Sequence, residues 1–213
     1  MVLFVRGLHC HMADLDTSQR LIRLASRRGS ITRQVVIEAG IHTQALSRLV
    51  EAGTLERVGR GRYRLPDASV TEHHDLVLVA AGVPKAVICL VSALNFHGIG
   101  TQLPPIVWIA IDRRARRPVL AYPMLRVLRF SGQALSAGVD THRIEGETIR
   151  VYGVAKTLAD LFKYRNKVGL DVCLEALRES WRARRFTMDE IDRYASVCRV
   201  ENVMRPYLEA LVG

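Results

Sequence analysis

Between residues 42 and 48 the chain sets His42, Thr43, Gln44, Ser47 and Arg48 around the apolar pair Ala45 and Leu46. These polar types can read nucleic-acid bases. A glutamine amide bridges the two major-groove groups of adenine, and an arginine guanidinium bridges those of guanine. Hydroxyls such as those of Thr43 and Ser47 bond phosphate oxygens, which fix register without reading sequence. Thr43 also stands where a helix would begin, and capping or a phosphate contact is its expected role ahead of a base contact. Cations that would grip a duplex follow in ERVGRGRYRL (56–65), which supplies Arg57, Arg60, Arg62 and Arg64. Arg60 lies between Gly59 and Gly61, where bare backbone can approach a phosphate or enter the minor groove. Thr32 and Arg33, one helix upstream, complete the candidate DNA-binding set.

The surrounding pattern specifies elements that would hold these side chains in place. Leu21, Ile22, Leu24 and Ala25 form an apolar stripe over a helix from about Thr17 to Arg28, capped by Thr17 or Asp16 and ended by Gly29. Thr32 is a natural cap for a second helix that buries Val35, Val36 and Ala39. Gly40 allows a turn at positive φ, and Ile41 plugs the corner. A third helix, His42 to Ala52, turns Leu46, Leu49 and Val50 to the core and its polar side to solvent, until Gly53 ends it. Residues 55–58 and 62–65 read as paired strands, with Tyr63 and Leu65 inward and Arg62 and Arg64 outward. Helix, turn, helix and basic hairpin make a winged helix-turn-helix, which lays one helix in the major groove and an arm on the backbone. The competing use of such a module is protein binding or dimerisation.

Composition sets outer bounds. The 213 residues suit one large domain or two small ones. Hydrophobic residues at 49% and charged residues at 24% are ordinary for a globular protein. A formal net charge of +10 favours polyanions, nucleic acid first and acidic membrane surfaces second. A general preference for arginine is the plainer reading of that charge. Residues 1–66 alone carry 11 Arg against 5 acidic side chains. No stretch approaches the roughly 18–20 apolar residues of a membrane span. The opening MVLFVRGLHCHMADL lacks the pattern of a signal peptide, so a cytoplasmic location is expected. Cys10, Cys89, Cys173 and Cys198 form no CxxC pair, so neither a disulfide framework nor a zinc knuckle is indicated. His9-Cys10-His11 reads as leader segment, and no metal or cofactor is expected.

After a turn-rich linker at Pro66-Asp67-Ala68-Ser69, Thr71 caps a helix reaching Gly82. A short apolar run at Val87–Leu90 and a helical stretch ending at Gly98 follow. Pro105–Ile111 is the clearest strand and Leu125–Phe130 another. Between them Arg113, Arg114, Arg116 and Arg117 form a basic loop, either a set of further phosphate contacts or a solvated surface. Ile144–Tyr152 reads as a hairpin or edge strand. Helices then cover 154–164, 170–184, 187–197 and 203–211. The expected class is α+β (mixed α/β), with a winged helix-turn-helix at 1–66 and a domain at 71–213 in which helices pack a small mixed sheet.

Catalysis needs convergent groups, and they are not apparent. There is no P-loop, HExxH or GxSxG motif. Ser92 and His97 are five apart, which puts them on different faces of a helix, and His97 reads as a helix-end or core histidine. Lys156 and Asp160 share a face at four apart, which fits a structural ion pair. The side chains of His73, His74 and Asp75 diverge. Asp112 ends a strand but is followed by arginines rather than by the Glu-x-Lys element of a metal-dependent nuclease. No catalytic residue is assigned.

Three blocks, EAGTLERVGRGRYRLP (51–66), SALNFHG (92–98) and KTLADLFKYRNKVG (156–169), resemble the AbiEi family of antitoxins and transcriptional regulators of abortive-infection toxin–antitoxin systems. The resemblance runs from about Leu21 to Val212. It implies a non-enzymatic protein whose winged helix binds inverted repeats in its own promoter. It implies a second domain that supports antitoxin activity against a nucleotidyltransferase-like toxin, without requiring a stable complex. The family wing often carries smaller or aliphatic residues where Arg62 and Arg64 stand. A winged-helix-tethered nucleic-acid-processing enzyme and a toxin-sequestering module are the alternatives.

Overall fold

The computed structural model describes residues 6–59, 61–66 and 71–212; within this set the side chains of residues 6–15, 27 and 212 are not described. Arg60 at the wing tip and the linker residues 67–70 therefore lie outside the described residues. The chain divides into two compact units, one of residues 1–74 with 143–147 and one of residues 75–142 with 148–213.

The first unit is built on α1 (Arg6–Arg28), β1 (Ser30–Thr32), α2 (Arg33–Glu38), α3 (Gln44–Glu51), β2 (Glu56–Gly59) and β3 (Arg62–Arg64). Helix α1 starts well before the expected Thr17. Asp16 and Thr17 are weak helix formers rather than breakers, so the helix passes through them. Thr32 does cap α2, its hydroxyl accepting from Val35 N at 3.3 Å. Gly40 makes the turn at φ +70°, a conformation that costs a residue with a Cβ about 1 kcal/mol or more. Leu21, Ala25, Ile31, Val36, Ile41, Leu46, Leu49 and Leu55 close the core. The strands form an antiparallel sheet in the order β1-β3-β2. The unit is completed by the hairpin tip 143–147. Gly146 lies at φ +79° against the backbone of Arg28, where a Cβ would overlap the Arg28 carbonyl.

The second unit contains α4 (His74–Gly82, from Asp75 on), β4 (Val87–Ile88), α5 (Leu90–Phe96), β5 (Val107–Asp112) and β6 (Leu125–Phe130). It continues through α6 (Gln133–Ser136), β7 (Val139–Ile144) and β8 (Glu147–Tyr152), apart from the hairpin tip, to α7 (Val154–Lys163) and α8 (Arg165–Val168). Three longer helices close it: α9 (Leu170–Arg182), α10 (Met188–Cys198) and α11 (Glu201–Val212). The five strands lie in the order β6-β5-β4-β8-β7. Strands β5 and β6 run parallel, as do β4 and β8, while β4 and β5 are antiparallel. The sheet is therefore mixed, and the α+β class holds for the chain.

Helix α7 is the axis of this unit, buried from Ala155 to Phe162. That burial includes a charge pair: Lys156 Nζ donates to Asp160 Oδ2 at 2.5 Å, both side chains being almost wholly inaccessible. The ammonium lies 4.1 Å from the Tyr152 ring centroid and 5.2 Å from that of Phe130. Cys198 Sγ donates to Asp160 Oδ1 at 3.1 Å. Burial pushes the Asp160 carboxyl above its ordinary range, against the pull of Lys156. Burial and the Asp160 charge hold the Cys198 thiol protonated, with its pKa pushed up to about 12. Removing one charge strands the other, which costs about 3–5 kcal/mol, whereas replacing both with apolar groups of similar size is far milder. Lys156→Met should thus lower the denaturation midpoint much more than the double change Lys156→Met with Asp160→Leu. Urea unfolding of the three proteins measures the difference.

Candidate nucleic-acid interface

Helix α3 and the residue pair before it carry five of the candidate DNA-binding residues, His42, Thr43, Gln44, Ser47 and Arg48. Leu46 and Leu49 are buried, whereas His42, Gln44, Ser47 and Arg48 are exposed. The burial follows from spacing: apolar groups three apart fall on one side of the helix, and the polar groups are left on the other. Thr43 occupies the N-cap position at φ −64° and ψ −17°, in the helical region, and makes no side-chain capping bond. An N-cap hydroxyl needs extended backbone to reach back into the helix. The expected capping role is therefore not taken up. Thr43 instead accepts from Arg33 Nη2 at 3.2 Å, so Arg33, exposed at the start of α2, is steered toward the start of α3. Gln44 N donates to His42 Nδ1 at 3.3 Å, which leaves the outer edge of the His42 ring facing solvent. Thr32 is spent on its cap and is half-buried.

The wing departs from the expected outward row of arginines. Arg57 on β2 is exposed, its Nε donating to Gly59 O at 3.2 Å. Arg62 and Arg64 on β3 are not free guanidinium groups. Arg62 pairs with Glu147, and Arg64 pairs with Glu56. Their side chains are only 19% and 17% exposed, and Arg64 Nη1 is buried without a hydrogen-bond partner among the described residues. The alternation of β3 does separate Tyr63, packed on the core, from the two arginines. What the sequence did not disclose is that β1 flanks β3 and that the 143–147 tip brings a carboxylate to their side. Ser30 Oγ also donates to Glu147 Oε1 at 2.7 Å.

The same tip supplies Glu145, which accepts from Thr71 N at 2.8 Å, Thr71 Oγ1 at 2.9 Å and His74 Nδ1 at 2.7 Å. Because a carboxylate only accepts, His74 carries a proton on Nδ1 here.

The residues weighed as a reaction centre have structural partners. Ser92 Oγ accepts from Trp108 N at 2.9 Å. His97 ends α5, and its Nε2–H donates to the Tyr152 carbonyl at 2.8 Å. Burial chiefly, with the Arg185 charge, holds that imidazole neutral by pulling its pKa below the usual range, against the Tyr152 carbonyl. Arg113, Arg114, Arg116 and Arg117 are exposed and belong to the second unit. Their loop is shaped by Arg129 Nη1, which donates to Arg113 O at 2.8 Å and Ala115 O at 2.7 Å. Neither the Arg129 bonds nor the arrival of Glu147 at the wing had a local signal in the sequence.

A three-stranded sheet, one strand before the helix pair α2–α3 and two after it, with a polar helix face turned outward, defines a winged helix-turn-helix module joined to an α+β unit. Residues 19–66 match the family described as "Transcriptional regulator, AbiEi antitoxin". The match ends at Pro66 and leaves the blocks at 92–98 and 156–169 outside it. The fold is similar to that of the crystal structure of the RV2827C protein from Mycobacterium tuberculosis. The likeness covers 85% of this chain and 71% of that one, with a TM-score of 0.54 and 15% identity. At that identity the likeness is one of fold. No curated protein matches the chain. Among the described residues no helix is long and apolar enough to cross a membrane.

Glu145 gives the module an acid limit. Burial pushes its carboxyl upward, but the Thr71 N–H and hydroxyl and the His74 ring outweigh that, and its pKa falls below the ordinary 4.5. A depressed carboxyl stabilises the fold above its unfolded value, and that stabilisation fades as pH falls through the folded value. Thermal melts should lose stability below about pH 4.5. Glu145→Gln should be less stable than the parent at neutral pH and should lose less on acidification.

Proposed function

We propose that the protein is a sequence-specific, non-enzymatic DNA-binding repressor that acts in the cytoplasm on inverted repeats in its own promoter. It serves as the antitoxin of an abortive-infection pair, countering a nucleotidyltransferase-like toxin encoded beside it. The observation that carries the reading is the outer side of α3, where Gln44, Ser47 and Arg48 stand exposed over buried Leu46 and Leu49. Such a row enters a major groove with its N-terminal residues against base edges. Arg33, His42 and Thr43 flank it, and Arg57 supplies the cation of the wing. The family match at residues 19–66 supports both the regulatory role and the antitoxin role.

The engaged state of Arg62 and Arg64 divides the labour within the wing. Arg57 meets phosphate, while Arg62 and Arg64 anchor the sheet through Glu147 and Glu56. Promoter repeats should bind far more tightly than random duplex in a titrated gel-shift. Gln44→Ala should erode that preference by about 1–3 kcal/mol at one base pair. Arg57→Ala should weaken both duplexes alike and reduce the log–log salt slope by about 0.9. Arg62→Ala should leave that slope unchanged and lower the melting temperature instead. Equal affinity for promoter and random duplex would reject specific repression.

A further inference from the structure

Strand β6 is an edge of the five-stranded sheet, bonded to β5 on one side only. Its backbone directions are fixed by two bonds: Met124 O accepts from Val107 N at 2.9 Å, and Phe130 O accepts from Arg113 N at 2.8 Å. Successive residues of a strand turn their N–H and C=O groups to opposite sides. Leu125, Val127 and Arg129 therefore direct theirs away from β5, along the open edge. A groove of about 470 Å³ follows that edge, lined by Ile106, Arg117, Met124, Arg126 and Val127 among others. The segment leading into it displays Val119 at 92% and Met124 at 67% exposure.

The charged groups that line the groove, Arg117, Arg126 and Arg129, are of one sign, and the arginines of the neighbouring loop outnumber its one carboxylate, Asp112. Arg113, Arg114, Arg116, Arg117 and Arg126 are all exposed, and among the described residues none has a carboxylate partner in an ion pair. Arg126 is held in place by stacking, its guanidinium 4.7 Å from the Trp108 ring centroid. Edge strands are commonly guarded by charge against pairing with their own kind. A second copy would bring arginines against arginines. A partner strand of opposite charge meets no such barrier.

We infer that the open edge of β6 is a docking site for an extended acidic segment of another protein, which adds to the sheet as a further strand. Unpaired backbone groups ask for a peptide main chain rather than for a sugar–phosphate one. Half-buried Leu125 and Val127 lie on one face of β6 and Arg126 on the other. The fitting segment thus alternates apolar with acidic residues, apolar over Leu125 and Val127, acidic toward Arg126 and Arg117. All of these residues belong to the second unit, so the inference stands apart from the DNA-binding reading.

The test uses the full chain and a fluorescein-labelled peptide of about six residues alternating glutamate and valine, a length that matches an average strand. A lysine–valine peptide, a single-stranded RNA oligonucleotide and a random duplex serve as comparison probes. The glutamate–valine peptide should bind by anisotropy and protect the Leu125, Val127 and Arg129 amides from hydrogen exchange. The lysine–valine peptide should not bind. Val127→Pro removes one outward N–H without touching the β5 side, and should weaken the acidic peptide by roughly tenfold or more while promoter-duplex binding is unchanged. Arg117→Glu with Arg126→Glu should weaken it as well, which covers the case in which the proline variant fails to fold. Equal binding of the two peptides, or unaltered binding by both variants, overturns the inference. So does displacement of the acidic peptide by RNA or duplex, with oligonucleotide binding lost in the arginine double variant but kept in Val127→Pro; that outcome assigns the arginines to nucleic acid.

Discussion

Leu46 and Leu49 decide which side of α3 the solvent sees. Their burial with Val36, Ile41 and Leu21 contributes about 1.5–3 kcal/mol for each large side chain. A helix of eight residues has little else to hold its rotation, since short helices owe their stability to packing. Once that apolar stripe is seated, Gln44, Ser47 and Arg48 point outward by geometry. Gly40 makes this possible by turning the chain between α2 and α3 at a backbone angle that a side chain would oppose. The exposed polar face of α3 is thus the remainder left when the core is satisfied.

The wing follows a different logic. Charge on a strand need not mean charge offered to a ligand. Arg62 and Arg64 are drawn into ion pairs by Glu147 and Glu56, and the partial burial of those pairs keeps them from being screened like surface ones. The tip 143–147 is built into the first unit through Gly146 against Arg28, through Glu145 on Thr71 and His74, and through Glu147 on Ser30 and Arg62. Within the second unit the corresponding anchor is the Lys156–Asp160 pair, enclosed by Tyr152, Phe130 and Cys198. In both units charged side chains are built into the architecture, while Arg33, Arg48 and Arg57 in one and the arginines of the 113–117 loop in the other are among the cations that stand exposed.

Local signals carried much of this into view. The helix pair with its glycine turn, the wing strands, β5 and β6, and the helices α7, α9, α10 and α11 all have periodicity or caps that a single segment reveals. The i, i+4 spacing of Lys156 and Asp160 marked them as one pair. What escaped depends on distant partners. Strand β1 has only three residues, Ser30 to Thr32, and exists because β3 lies beside it. Glu147 reaches Arg62 across 85 positions of sequence, so the alternation of β3 was legible while the neutralisation of its arginines was not. Thr43 stands at a helix start, yet its helical backbone angles take its hydroxyl away from capping, and composition gives no sign of that.

We propose above all that duplex DNA is read on the exposed side of α3, with Arg33 and Arg57 beside it. Amide and side-chain chemical-shift mapping of isotope-labelled protein titrated with promoter duplex addresses it directly. Shifts concentrated at Arg33, His42, Gln44, Ser47, Arg48 and Arg57 are the predicted result. A titration in which these signals stay still while the 113–129 region moves would contradict it.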